Sequence, residues 1–167
     1  SSATAHLFYS HLLSILGRTE EGTEHAQLAV ELDPFNPFVR ALYGVQMSFA
    51  GDVKGARQVI EEVHANNPGF GFASGVLVRI YHMLGEYEKA VSMEASVFRK
   101  LRNFPEGADS LEAAYAGGDY SAAMLAAAQA LEERSKTIHV GPLAIGNLYS
   151  YAGEVEKAID WYEQGFH

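Results

Sequence analysis

Five glycines, Gly17, Gly51, Gly85, Gly118 and Gly153, recur at spacings of 34, 34, 33 and 35 residues. A period of this length along a whole chain is the mark of a repeat architecture. Five residues after each glycine stands a small residue: Gly22, Ala56, Ala90, Ala123 and Ala158. The local text agrees across LGRTEEGTEHAQLAVELDP, AGDVKGARQVIEEVHANNP, LGEYEKAVSMEASVF, GGDYSAAMLAAAQALEE and AGEVEKAIDWYEQGF. Each glycine sits between two apolar patterns of helical period. It ends the first helix, where a left-handed backbone costs least without a Cβ. The acidic or polar residue after it meets the positive end of the second helix dipole. The small residue lets the two helices approach. Pro34 and Pro68 close second helices that they cannot continue.

This reading predicts ten helices, at residues 4–16, 20–32, 38–50, 53–65, 72–84, 87–101, 107–117, 120–134, 142–152 and 155–166. One helix pair is too small to shield its own apolar stripe. Stacked pairs share a continuous core and curve around a concave face.

These residues resemble the tetratricopeptide repeat, a 34-residue helix-turn-helix unit. Gly44 and Gly146 match its small eighth position, and Tyr81 and Tyr149 its aromatic eleventh. The family's tryptophan at the fourth position is replaced by His6, Arg40, Ser74, Gly107 and Pro142. The resemblance implies an all-α, right-handed superhelical solenoid of helix-turn-helix repeats. The whole chain, 1–167, is expected to form a single array with units at approximately 3–36, 37–70, 71–103, 104–138 and 139–167.

Catalytic signatures are missing from the sequence. The histidines are scattered, and none forms a zinc-hydrolase pair on one helix. There is no nucleophile elbow and no phosphate loop. Gly69-Phe70-Gly71 reads as a turn between helices. The carboxylate pairs Glu20-Glu21, Glu61-Glu62 and Glu132-Glu133 read as solvated helix ends, where general acid–base work has no buried setting. Cysteine is absent, so neither a disulfide nor a thiolate metal site can form. We therefore expect no enzyme, no cofactor and no metal. Acidic residues outnumber basic ones 21 to 12, which disfavours a nucleic-acid partner. No apolar run is long enough for a membrane span, and no signal peptide is visible.

The resemblance implies that first helices line a groove for a protein or peptide ligand. The groove residues it picks out are Leu7, His11, Phe38, Val45, Phe72, Arg79, His82, Glu112, Asn147 and Tyr151. Phe49 and Tyr151 either line the groove or pack between neighbouring units. Leu7 and His11 stand where one subgroup carries the first lysine and asparagine of a carboxylate clamp, so chaperone-tail binding is disfavoured. Arg79, on a mostly apolar inner helix, would attract an acidic ligand group or pair with Glu112.

The last helix carries Ile159, Tyr162 and Phe166 along one stripe, beside Trp161. A following helix or another chain is expected to cover it, including a second copy in a homo-oligomer. The repeat text is similar to arrays in bacterial multidomain regulatory proteins. That similarity implies a cytoplasmic interaction scaffold within a larger protein, with self-association as the alternative.

Overall fold

The structure is a computed structural model that describes residues 2–165. It contains ten α-helices and no strand among the described residues. These are α1 (Ala3–Ile15), α2 (Thr19–Leu32), α3 (Pro37–Phe49), α4 (Val53–Asn66) and α5 (Gly71–Leu84). They continue with α6 (Tyr87–Ser96), α7 (Pro105–Tyr115), α8 (Tyr120–Ser135), α9 (Pro142–Ala152) and α10 (Val155–Gln164). Pro37, Pro105 and Pro142 each open a helix at its first position, where a missing N–H loses no bond. Phe166 lies outside the described residues.

The five recurring glycines are the described glycines with positive φ, between 70° and 92°. At four of them the next residue's N–H reaches back to close the helix: Arg18 to Leu13, Asp52 to Met47, Glu86 to Tyr81 and Glu154 to Tyr149, at 2.8–2.9 Å. The small residues after the glycines are all buried, Ala56, Ala90 and Ala123 completely so. Gly44 and Gly146 mark close approaches of first helices to second helices. A Cβ on Gly44 would meet Ile60 Cδ1 at 2.7 Å, and one on Gly146 would meet Tyr162 Cε1 at 2.6 Å.

The described packing falls into two compact units that divide between Glu86 and Tyr87, inside the third repeat. In the first unit α1 pairs with α2 and α3 with α4; α2 packs on α3, α4 on α5, and α1, α3 and α5 lie side by side. Leu7, Ala29 and Val39 form one core cluster, and Ile60, Val63, Leu77 and Ile80 are also buried. In the second unit α7 pairs with α8 and α9 with α10, while α6 packs on α7 and α8, and α8 on α9. Phe98, Leu111, Met124, Leu131, Ile145 and Leu148 fill it. Each such large apolar side chain contributes about 1.5–3 kcal/mol through burial.

One helix departs from the expectation. The sequence predicts a helix unbroken over 87–101, but α6 passes into a single π turn at Val97–Leu101. Phe104 N–H then bonds back to Phe98 C=O at 2.8 Å, and Asn103 takes a positive φ of 46°. The chain turns early enough for α7 to begin at Pro105 rather than 107.

Two carboxylates read as solvated are engaged instead. Tyr81 OH donates to Glu61 at 3.0 Å, and Tyr149 OH donates to Glu132. In both contacts the eleventh-position tyrosine of one repeat clasps the second helix of the repeat before, with the two glutamates at different positions along that helix. Burial, then the Glu61 hydrogen bond, pushes the Tyr81 hydroxyl up to about 12.

Candidate functional site

Helices α1, α3 and α5 are the first helices of three successive repeats, and their shared face carries half-exposed aromatics. Phe38, Phe49, Phe72 and Met83 remain 41%, 44%, 39% and 49% exposed. Apolar side chains left this open on adjacent helices form a surface able to gain from contact.

The aromatics gather at the two ends of α3. At its start, Phe38 lies 5.8 Å from Phe72 between ring centroids, and Phe72 lies 5.9 Å from Phe70. The capping side chain of Asn36 fixes this end, accepting the N–H groups of Phe38 and Val39 at 3.0 and 3.4 Å. At the end of α3, the Phe49 ring has His11 of α1 on one side, 6.5 Å away, and the Arg79 guanidinium of α5 at 5.1 Å. Arg79 also donates to Ser48 Oγ at 2.9 Å, and Ser48 in turn donates to Val45 C=O at 2.6 Å. The cation is thus held by a ring and a hydroxyl, in a cation–π geometry of the usual range. His82, one turn along α5, is half-buried, and burial holds its pKa below the ordinary histidine value.

The sequence-derived set divides in this structure. His11, Phe38, Phe72, Arg79 and His82 fall in the first unit with some or all of the side chain accessible. Leu7 does not: it is 2% exposed and packs with Ala29 and Val39, because α1 presents this position to α2 and α3. Val45 is likewise buried at 8%. Phe49, weighed between groove and packing, is exposed on the face.

The remaining members lie in the second unit. Glu112 is exposed and takes two hydrogen bonds from Arg99, at 2.6 and 2.7 Å, which hold its carboxyl below the ordinary glutamate range. Asp109 shares that arginine at 2.9 Å. Asn147 is exposed and accepts from Tyr162 OH at 3.0 Å, and Tyr151 is half-buried. The terminal stripe is partly consumed: Tyr162 covers Gly146, Trp161 is half-buried, and Ile159 remains 49% exposed.

The histidines make local contacts. His6 Nδ1 and His25 Nδ1 lie 2.8 Å apart with stacked rings, and His64 Nδ1 lies 3.3 Å from Ser74 Oγ. Among the described residues no three His, Asp or Glu converge as metal ligands. No described helix is long and apolar enough to cross a membrane.

Solved structures similar to this fold include a TPR protein and TPR-like repeats. A thermophilic TPR protein of Thermus thermophilus matches with a TM-score of 0.65 at 18% identity, over 98% of this chain and 90% of that one. MamA (41-end) of Desulfovibrio magneticus RS-1 matches with a TM-score of 0.59 at 16% identity, over 98% and 93%. The nearly identical TPR-like repeats of a Podosopora anserina putative kinesin light chain match with a TM-score of 0.58 at 18% identity, over 97% and 92%. No protein-family model and no curated protein matches the sequence. The fold is that of a tetratricopeptide-repeat solenoid, as the glycine period implies.

Proposed function

We propose that this chain is a scaffold for protein–protein contacts that holds an extended peptide on the α1–α3–α5 face. One observation carries the reading: two aromatic groups, Phe38 with Phe72 and Phe49 with Arg79, stand half-exposed at opposite ends of α3. The eleven-residue offset from Phe38 to Phe49 corresponds to about 16 Å of helix. About five residues of extended peptide bridge that distance. Covering the open part of each ring contributes about 2 kcal/mol, enough for two apolar anchors to set affinity. His11 and His82 supply hydrogen bonds that fix register between the anchors. Arg79 adds positive potential to a chain of net charge -9, which favours an acidic residue in the ligand.

The reading extends to a place within a larger bacterial regulatory protein of the cytoplasm, on the likeness of the repeat text. A second reading, self-association through α10, draws on Val155 and Ile159, which are 62% and 49% exposed. Light scattering across concentration separates the two.

The direct test is selection of a displayed random-peptide library on the chain, followed by titration of the winners. Replacing Phe72 and Phe49 together with alanine weakens them by about tenfold or more, since hot-spot anchors dominate such contacts. Winners that bind the double variant as tightly as the parent refute the assignment.

A further inference from the structure

A cavity of about 230 Å³ opens in the second unit, and none of its walls belongs to the peptide face. Its walls are Arg102, Leu131, Arg134, Ile138, His139, Val140, Gly141 and Ala144. Two arginines converge there in a chain whose overall charge is strongly negative.

Both guanidiniums are fixed before any ligand arrives. Arg102 lies over the Phe98 ring at 4.9 Å and pairs through Nη1 with Glu94, a carboxylate only 6% exposed. Arg134 lies over the Phe104 ring at 4.3 Å and donates through Nη1 to Asn103 C=O at 3.2 Å. The π turn and the positive φ of Asn103 bring Phe98, Phe104 and the Asn103 carbonyl to these places. Arg134 has no carboxylate partner among the described residues, and its Nη2 and Nε make no hydrogen bond there. A guanidinium held by a ring and a carbonyl loses little freedom on binding, which favours recognition of a carboxylate or phosphate. The start of α9, at Gly141 to Ala144, adds the positive end of a helix to the same cavity. Leu131, Ile138 and Val140 give it an apolar side.

We infer that this cavity is a binding site for a small molecule carrying a carboxylate or phosphate beside a short apolar portion. The oxyanion sits against Arg134, with Arg102 and His139 flanking it, and the apolar portion lies on Ile138 and Val140. The volume falls below the ~300–1,000 Å³ usual for drug-sized ligands, so the occupant is small. The competing explanation is structural: Arg102 and Arg134 would only brace the turn between α6 and α7.

Calorimetric titration of the whole chain with succinate and with phenyl phosphate tests the site and separates the two oxyanions. At least one should bind saturably, with Kd in the millimolar range or tighter. Arg134→Gln, which keeps an amide donor for the turn, weakens that binding by about tenfold or more. His139→Asp, at an exposed position with no role in the turn, does the same by placing a negative charge in the cavity. Arg99→Gln, on a separate surface ion pair, leaves binding unchanged. No saturable binding of either compound, or equal binding by Arg134→Gln and His139→Asp, overturns the proposal.

Discussion

Gly22 and Gly75 both lie inside helices with ordinary backbone angles, yet the same replacement by alanine should move stability in opposite directions. Alanine is favoured over glycine in a helix by about 1 kcal/mol. At Gly75 nothing lies within 4 Å of the added Cβ, so that gain is realised and Gly75→Ala stabilises by about 0.5–1 kcal/mol. At Gly22 the Cβ would sit 2.9 Å from the Ser10 carbonyl oxygen and 2.7 Å from Gln46 Nε2. The carbonyl belongs to the α1 backbone and moves only if the whole helix backs away. Gln46 is 2% exposed, accepts from Ser14 Oγ at 2.6 Å and donates to Thr19 C=O at 3.2 Å. Overpacking costs about 1–3 kcal/mol, and stranding a buried amide costs a similar amount. Gly22→Ala should therefore destabilise by about 3 kcal/mol net, a drop of about 1–2 M in urea midpoint. Repeats contact only their neighbours, so hydrogen exchange should quicken first in α1, α2 and α3 while residues beyond Tyr87 keep their protection. A Gly22→Ala chain as stable as the parent would refute the claim that close approach of α1, α2 and α3 determines residue choice there.

Three further outcomes follow from the buried polar groups. His82 is held below the ordinary histidine pKa by burial, so the folded chain resists its protonation. As pH falls below about 6.5 the unfolded chain takes up the proton first and stability declines, a slope that His82→Gln should remove from urea midpoints measured across that range. Tyr81 is pushed up to about 12, and Tyr120 and Tyr149 are also raised, each by burial first. Phenolate absorbance should show these rings ionising after the others, with stability falling as pH rises above about 10, where the unfolded tyrosines lose protons that the folded ones keep. Arg102→Met leaves the Glu94 carboxylate buried and unpaired and should cost about 3 kcal/mol, whereas Lys136→Met, in an exposed pair with Glu133, should change stability by less than about 1 kcal/mol.

Local backbone chemistry made most of the fold legible. The positive-φ glycines are decided by interactions within a few residues, the small residues after them by packing against neighbouring helices, and both were visible as a spacing; that Pro37 and Pro105 open helices was not read from the sequence. Helix limits agreed closely for the same reason. The π turn at Val97–Leu101 was hidden, since VFRKL is ordinary helical text and the contacts around the turn join α6 to Phe104, Asn103 and α8. Leu7 was placed on the groove by repeat position alone, but the packing of α1 against α2 and α3 turns that position inward. Outward-facing positions at helix ends, Phe38, Phe49, Phe72 and Met83, carry half-exposed apolar side chains instead. The partners of Glu61, Glu112 and Glu132 lie 13–20 residues away along the chain, and only folding brings them together. The cavity at Arg102 and Arg134 gave no sequence signal, because its basic walls come from α8 and from the turn after α6, outside the first-helix positions.

Hydrogen–deuterium exchange on the chain, with and without a saturating library-selected peptide, tests the binding face most directly. The account predicts slowed exchange across α1, α3 and α5, strongest near Phe38, Phe49 and Phe72. Protection confined to α2 and α4, or to residues beyond Tyr87, would contradict it.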